Sequence, residues 1–188
     1  MPSGYFSNPI IFLIDVLFGL YMAIVALRII MQWAKWEYHN PLVQFIVQAT
    51  QLPVKFLRGF IPAMGRWDMA TIVLLIALAM IKLLLITLFQ TSMPPLFSFI
   101  IFALADIFSL FITIFTVSII GEVILSWVSP PGSYNPIAPL INRMNSPLLR
   151  PIRQWIPQMS GIDFSPLIAL LSLQILSMLV LPILTGHG

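Results

Sequence analysis

The sequence predicts an all-α membrane protein of four transmembrane helices in two parallel internal repeats, each a helix, an amphipathic surface segment and a second helix. Composition is the first reason. Hydrophobic residues make up 60 % of the chain and charged residues 8 %, with a mean hydropathy of +1.02, where a soluble domain carries about 25 % charged residues. The second is length: four apolar runs reach or exceed the ~20 residues that a helix needs to cross a bilayer. The third is internal repetition. Trp33 matches Trp127 at an offset of 94 residues, and from Asn40-Pro41 and Asn135-Pro136 onward the offset is 95. Lys55, Arg58, Pro62 and Asp68 then match Arg150, Arg153, Pro157 and Asp163. A recurrence at constant spacing marks one structural unit written twice, and the division falls at residues 1–93 and 94–188.

The elements follow in order. Residues 9–31 form the first span, with Pro9 where a helix start tolerates proline. The run lacks a basic leader and a small-residue cleavage site, so it reads as a retained span. Trp33 and Trp36 follow it at the expected aromatic belt. Asn40-Pro41 is a helix start, asparagine as cap and proline in the first turn. Leu42, Phe45, Ile46, Ala49, Leu52 and Phe56 then recur as an apolar stripe. Pro53 is expected to break the segment, which should lie along the membrane surface. Residues 69–89 form the second span and carry Lys82.

The third span, residues 96–128, has 33 residues. A straight helix of that length reaches ~50 Å, against ~30 Å of hydrocarbon, and Gly121 is the expected soft point. In the second surface segment Ile137, Leu140, Ile141, Met144, Leu148, Ile152 and Trp155 form a stripe, and Ser146-Pro147 reads as a fresh helix start. Residues 164–184 form the last span, without a charge.

Basic residues set the orientation. Lys35, Lys55, Arg58, Arg66, Arg143, Arg150 and Arg153 all lie in the two surface segments. The positive-inside rule places those segments in the cytoplasm and both termini outside. The same charges suit anionic lipid headgroups at ~1 kcal/mol each, or a cytoplasmic partner docking on Arg150, Arg153 and Gln154. A direct nucleic-acid ligand is not expected, since the positive charge is sparse and mixed with lipid-facing residues.

Asn135-Pro136, the run Ser-Pro-Leu-Leu-Arg-Pro-Ile-Arg from Ser146 to Arg153, with Pro151 inside it, and Gly161 to Pro166 resemble the YggT family of small integral membrane proteins, including YlmG-like relatives. The resemblance covers nearly the whole chain and matches the two-repeat Gram-negative form, which implies a bacterial inner membrane. It departs from the usual pattern at Ser146, Gln154 and Ser160. What it implies about function is broad: osmotic stress and ion homeostasis, division and nucleoid organisation, or cofactor assembly onto a plastid membrane cytochrome.

Charges inside the spans are the candidate functional residues, because each costs ~2.5–3.5 kcal/mol at a helix centre on insertion scales. Arg28 and Glu122 hold the same position of the two repeats and are placed to meet near the pseudo-two-fold axis, as a polar path or as a docking pair. Lys82 between Asp15 and Asp106 reads as a proton or cation site, or as a static network tying helices together. Asp68 and Asp163 read as helix caps or dipole partners. Ser109, Thr113, Thr116 and Ser118 are the small polar residues that would face a pore or bond between helices.

Without cysteine, nucleophile–base pair, phosphate loop or metal-ligand spacing, neither enzymatic activity nor a cofactor is expected. The expectation is a membrane scaffold or assembly factor working with a membrane protein partner or as a homo-oligomer. A small transport component acting through the intramembrane charges is the alternative.

Overall fold

The computed structural model describes residues 7–61, 67–89, 95–128, 135–155 and 163–186. Among them lie six helices: α1 (Ser7–Trp33), α2 (Pro41–Arg58), α3 (Met69–Thr87), α4 (Leu96–Val128), α5 (Ala138–Trp155) and α6 (Ser165–Thr185). Four of these, α1 from Pro9 with α3, α4 and α6, are long and apolar enough to cross a membrane. The chain is an all-α membrane protein, and α1–α2–α3 repeats as α4–α5–α6. Pro62, Gly65, the turn from Thr91 to Pro94, Pro157 and Gly161 lie outside the described residues.

Within each repeat the two spans pack on each other, α1 on α3 and α4 on α6. Contacts between α3 and α4, with a few between α1 and α4, join the repeats. Apolar burial gains little when lipid is the alternative, so close approach through small side chains matters more. Ala26, Ala70, Ala79 and Ala103 are accordingly all buried in the cluster between α1, α3 and α4. A second cluster gathers Ile30 and Met31 of α1, Trp36, Val43 and Ile46 around α2, and Leu140 and Met144 of α5. The surface helices therefore share one core with the ends of the spans.

Both surface helices start as the Asn-Pro pairs dictate. The Asn40 side chain accepts the Leu42 N–H at 2.9 Å, and Asn135 accepts the Ile137 N–H at 2.9 Å. At the end of α1, Lys35 takes the left-handed conformation (φ 52°). The Ala34 and Trp36 N–H groups then reach back to the Ile30 and Met31 carbonyls at 2.7 and 3.0 Å, which closes the helix end.

Three expected interruptions are absent. Pro53 lies inside a continuous α2. A proline there frees the carbonyl four residues back, and the Tyr21 hydroxyl donates to that carbonyl, Ala49 O, at 3.4 Å. Ser146-Pro147 is likewise no fresh start, because α5 runs unbroken through Pro147 and Pro151. Both prolines are exposed, as are Arg143 and Pro147 four residues before them, so the missing hydrogen bonds fall outside the core. Gly121 does not soften α4, which is helical throughout its 33 residues. A Cβ there would meet only Ile141 Cδ1 at 3.7 Å.

The apolar stripes are also corrected. On α2 the buried side is Val43, Ile46, Thr50 and Val54, while Phe45, Leu52 and Phe56 stand exposed. Gln44, Gln48, Gln51 and Lys55 form a third, polar side. The helix thus has three faces, one buried in the bundle, one apolar and exposed, and one polar, where the composition suggested two. On α5, Leu140 and Met144 pack towards α1, and Leu149 packs with Ile119 and Ala169 of the second repeat. Ile137 and Trp155 are exposed.

Candidate functional site

At the surface-helix end of each repeat, three charged residues form a chain of contacts no longer than 3.9 Å, and one of them is held by a polar side chain of the surface helix. In the first repeat α1 brings Arg28, which is 4 % exposed, against α2. Its guanidinium donates to Thr50 Oγ1 at 2.7 Å and to the Val47 carbonyl at 3.3 Å. Thr50 can accept because its own proton goes to the Ile46 carbonyl at 2.7 Å. Asp68, immediately before α3, lies 3.9 Å from Arg28 and 2.6 Å from Arg58. Its carboxylate also accepts the Thr71 hydroxyl at 2.9 Å, and its backbone N–H donates to Gln32 Oε1 at 3.2 Å. Burial pushes the Asp68 carboxyl up, but the bonds from Arg58 and Thr71 and the charges of Arg58 and Arg28 outweigh it and hold it below the usual range.

The second repeat builds the same node with one sign reversed. Glu122 replaces Arg28, Asn145 replaces Thr50, and Arg153 and Asp163 replace Arg58 and Asp68. Asn145 Nδ2 donates to Glu122 at 2.7 Å and Asn142 Nδ2 at 3.2 Å. The Ser118 hydroxyl donates to the Asn145 carbonyl oxygen. Arg153 lies 3.8 Å from Glu122 and 2.9 Å from Asp163. Asp163 also accepts the Ser165 N–H at 2.9 Å. Burial raises its carboxyl, and the bonds from Ser165 and Arg153 more than offset this.

One node thus holds two arginines and one carboxylate, the other two carboxylates and one arginine. Arg28 and Glu122 do not pair across the pseudo-axis: each is held by its own surface helix. Asp163 behaves as a cap on the start of α6. Asp68 does not, because its carboxylate is spent on the arginines and makes no capping bond to α3.

The two surface segments meet directly. Asn40 Nδ2 donates to the Pro136 carbonyl, Arg143 pairs with Glu37, and Arg143 also donates to the Lys35 carbonyl at 3.1 Å. Beside this junction a cleft of about 750 Å³ opens, lined among others by Glu37, His39, Glu122, Asn142 and Arg143.

A third charged group lies deeper. Lys82 Nζ of α3 sits 3.0 Å from Asp15 of α1 and 2.8 Å from Asp106 of α4. Asp15 precedes Arg28 by 13 residues, about 20 Å along a helix, so the triad is far from the nodes. The Lys82 side chain is 10 % exposed, but the carboxylates of Asp15 and Asp106 are 58 % and 36 % exposed. The positions matching Asp15 and Lys82 in the second repeat are Ser109 and Ser177, so the triad has no counterpart there.

This doubled arrangement has relatives. The sequence profile described as CCB3/YggT matches residues 7–89 and 101–184. The chain belongs to the CCB3/YggT family. It is 38 % identical over 181 residues to the uncharacterized protein YggT of Escherichia coli, covering 96 % of this chain and 94 % of that one. An uncharacterized protein of Pseudomonas aeruginosa is 40 % identical over 176 residues, 91 % of this chain and 87 % of that protein. One from Vibrio alginolyticus is 34 % identical over 175 residues, 92 % and 94 % of the two chains. No solved structure matches.

Within this YggT-family chain, the structure brings together most of the residues that the repeat pattern singles out. Asn40, Arg58, Asp68, Arg143, Arg153 and Asp163 are all engaged. Lys55, Arg150 and Pro151 are exposed, and among the described residues neither Lys55 nor Arg150 has an ion-pair partner. Thr113 bonds its own helix at Ser109 O, 2.9 Å, and Ser118 bonds Asn145, so these two serve helix and interhelical bonding. Sequence reasoning missed Thr50, Asn145 and Gln32. The signal existed for the first two, which are polar residues 95 apart on otherwise apolar helix faces.

Proposed function

We propose that this YggT-family protein is a non-enzymatic scaffold or assembly factor of the bacterial inner membrane, holding a platform of two surface helices at the cytoplasmic side for a partner complex. The observation that carries this reading is the pinning of α2 and α5. Each is tied to the next span by an Arg–Asp pair, Arg58–Asp68 at 2.6 Å and Arg153–Asp163 at 2.9 Å. Asn40 and Arg143 then lock the two segments to each other. Helices that needed only to lie on lipid would not require ion pairs to the following spans. The sidedness rests on the basic residues, which apart from Arg28 and Lys82 all lie in the two sequence segments between the spans of each repeat.

Lys55, Arg150 and the polar side of α2 suit anionic headgroups, and the exposed Phe45, Leu52 and Phe56 suit acyl chains. The cleft lined by Glu37, Glu122, His39 and Arg143 offers mixed charge to a polar partner segment. Native mass spectrometry of the protein extracted gently from its own membrane tests the proposal. A defined complex containing a second kind of polypeptide is the expected result. A chain that carries only lipid or copies of itself would sink it.

The second reading, a transport component in ion or osmotic balance, is favoured by the Asp15–Lys82–Asp106 triad, which places three charges within the spans. Proton or cation flux in liposomes that disappears with Lys82→Met would support it over the scaffold.

A further inference from the structure

We infer that two copies of this chain pair through α6, with Gln174 of each copy meeting at a two-fold axis along the membrane normal. This goes beyond the scaffold reading and does not rest on it. Gln174 lies near the middle of the 21-residue helix α6. It is exposed and bonds to nothing among the described residues. A primary amide at that depth faces hydrocarbon, where its donors and acceptor find no water. Its neighbours along the helix are exposed too: Leu167, Leu171 and Met178. With half-buried Leu181 they repeat at spacings of four, three, four and three, the seam of a left-handed helix pair. A single polar residue in such a seam sets register and partner number.

The internal symmetry says that this face is built for covering. Residues 95 positions earlier on α3 are Ile72, Ile76, Ala79, Leu83 and Ile86, and none of them is exposed. Ala79 is fully buried in a cluster with Met22 of α1 and Ala103 of α4. The α3 face is closed by the neighbouring repeat. The matching face of α6 is left exposed among the described residues, since α6 packs chiefly on α4 and α5.

A second copy is the occupant that fits. The glutamine amide carries both donor and acceptor, so two of them at equal depth bond reciprocally. Copies inserted with the same topology present the same patch to each other around a two-fold axis. An apolar span or lipid would cover the leucines but leave the amide unpaired.

The chain has no cysteine, so single-cysteine variants of the full-length protein report contact directly in native membranes. Under mild oxidation, Met178→Cys should give a covalent homodimer, and Leu171→Cys likewise. Leu179→Cys, exposed at almost the same depth but about 100° around the helix, should stay monomeric. Adding Gln174→Leu to the Met178→Cys variant should lower the dimer yield about three- to tenfold, and Gln174→Asn should retain it. Equal yields at positions 178 and 179 would overturn the inference as random collision. No dimer at 178 would overturn it as a lipid-covered face. Cross-linking of 178 to a different polypeptide, or a yield indifferent to Gln174→Leu, would also overturn it.

Discussion

Arg28 and Glu122 stand 94 positions apart at the same place of two repeats, and they carry opposite charge. Each is nevertheless held by the same device, a polar side chain of the following surface helix: Thr50 for the arginine, Asn145 for the glutamate. The reversal is absorbed by the conserved geometry of the Arg–Asp pair beside it. Arg28 leans towards the aspartate of its node, Asp68 at 3.9 Å, and Glu122 towards the arginine of its node, Arg153 at 3.8 Å. An Arg–Asp pair offers a countercharge of either sign, so the fold tolerates either ion at the end of the first span.

The two nodes differ in burial, and their variants should differ in cost. Asp68→Asn leaves Arg28, 4 % exposed, without a counterion, an outcome worth about 3–5 kcal/mol when a buried pair is broken. Asp163→Asn should cost about 1 kcal/mol, since Arg153 is 39 % exposed and an open pair is worth little. Thermal unfolding in detergent checks the order. Equal losses would mean that burial of Arg28 contributes nothing.

Acid should unfold the protein through the same carboxylates. The folded Asp68 and Asp163 are both held below the ordinary range, so each contributes stability that is complete above the unfolded value of about 3.9. That stability drains away as pH falls from there through the lower folded values. Unfolding midpoints should be flat in pH above about 5 as far as these groups are concerned, and should drop below about 4. Asp68→Asn should flatten the drop; an unchanged slope would assign it elsewhere.

Tyr21 and Pro53 should be coupled. Tyr21→Phe removes the donor on the carbonyl that Pro53 frees, costing about 0.5–1.5 kcal/mol for a hydrogen bond of ordinary worth. In a Pro53→Ala background the backbone N–H can take that carbonyl, so Tyr21→Phe should cost less. A double-mutant cycle in unfolding free energy reads the difference, and strict additivity would disprove the link.

Lys82→Met leaves Asp15 and Asp106 facing each other within the spans, without their shared cation. Unfolding should become easier by about 3–5 kcal/mol, and Asp15→Asn in the same chain should restore part of the loss. Lack of any rescue would show that the two carboxylates do not share Lys82.

Much of this was legible beforehand because it depends on local rules. Apolar runs longer than a bilayer is thick form spans whatever surrounds them, and Asn40-Pro41 and Asn135-Pro136 start helices through bonds two residues long. The grouping of Asp15, Lys82 and Asp106 followed from depth, since charges at one level in a bilayer have few other partners. Thr50 and Asn145 were harder to see: a threonine or asparagine on a surface helix is ordinary until the helix is known to turn that side inward.

The sequence by itself therefore determined the four spans, the two surface helices and the doubling of the unit, all written in hydrophobicity and in a repeat 95 residues long. Only the tertiary structure decided that α2 and α5 run straight through their prolines. The carbonyl that Pro53 frees is bonded by Tyr21, 28 residues away in sequence. It also decided that Arg28 and Glu122 never meet. Ion pairing falls off over a few ångströms, and which partner lies within that range is set by how helices pack, not by their order in the chain.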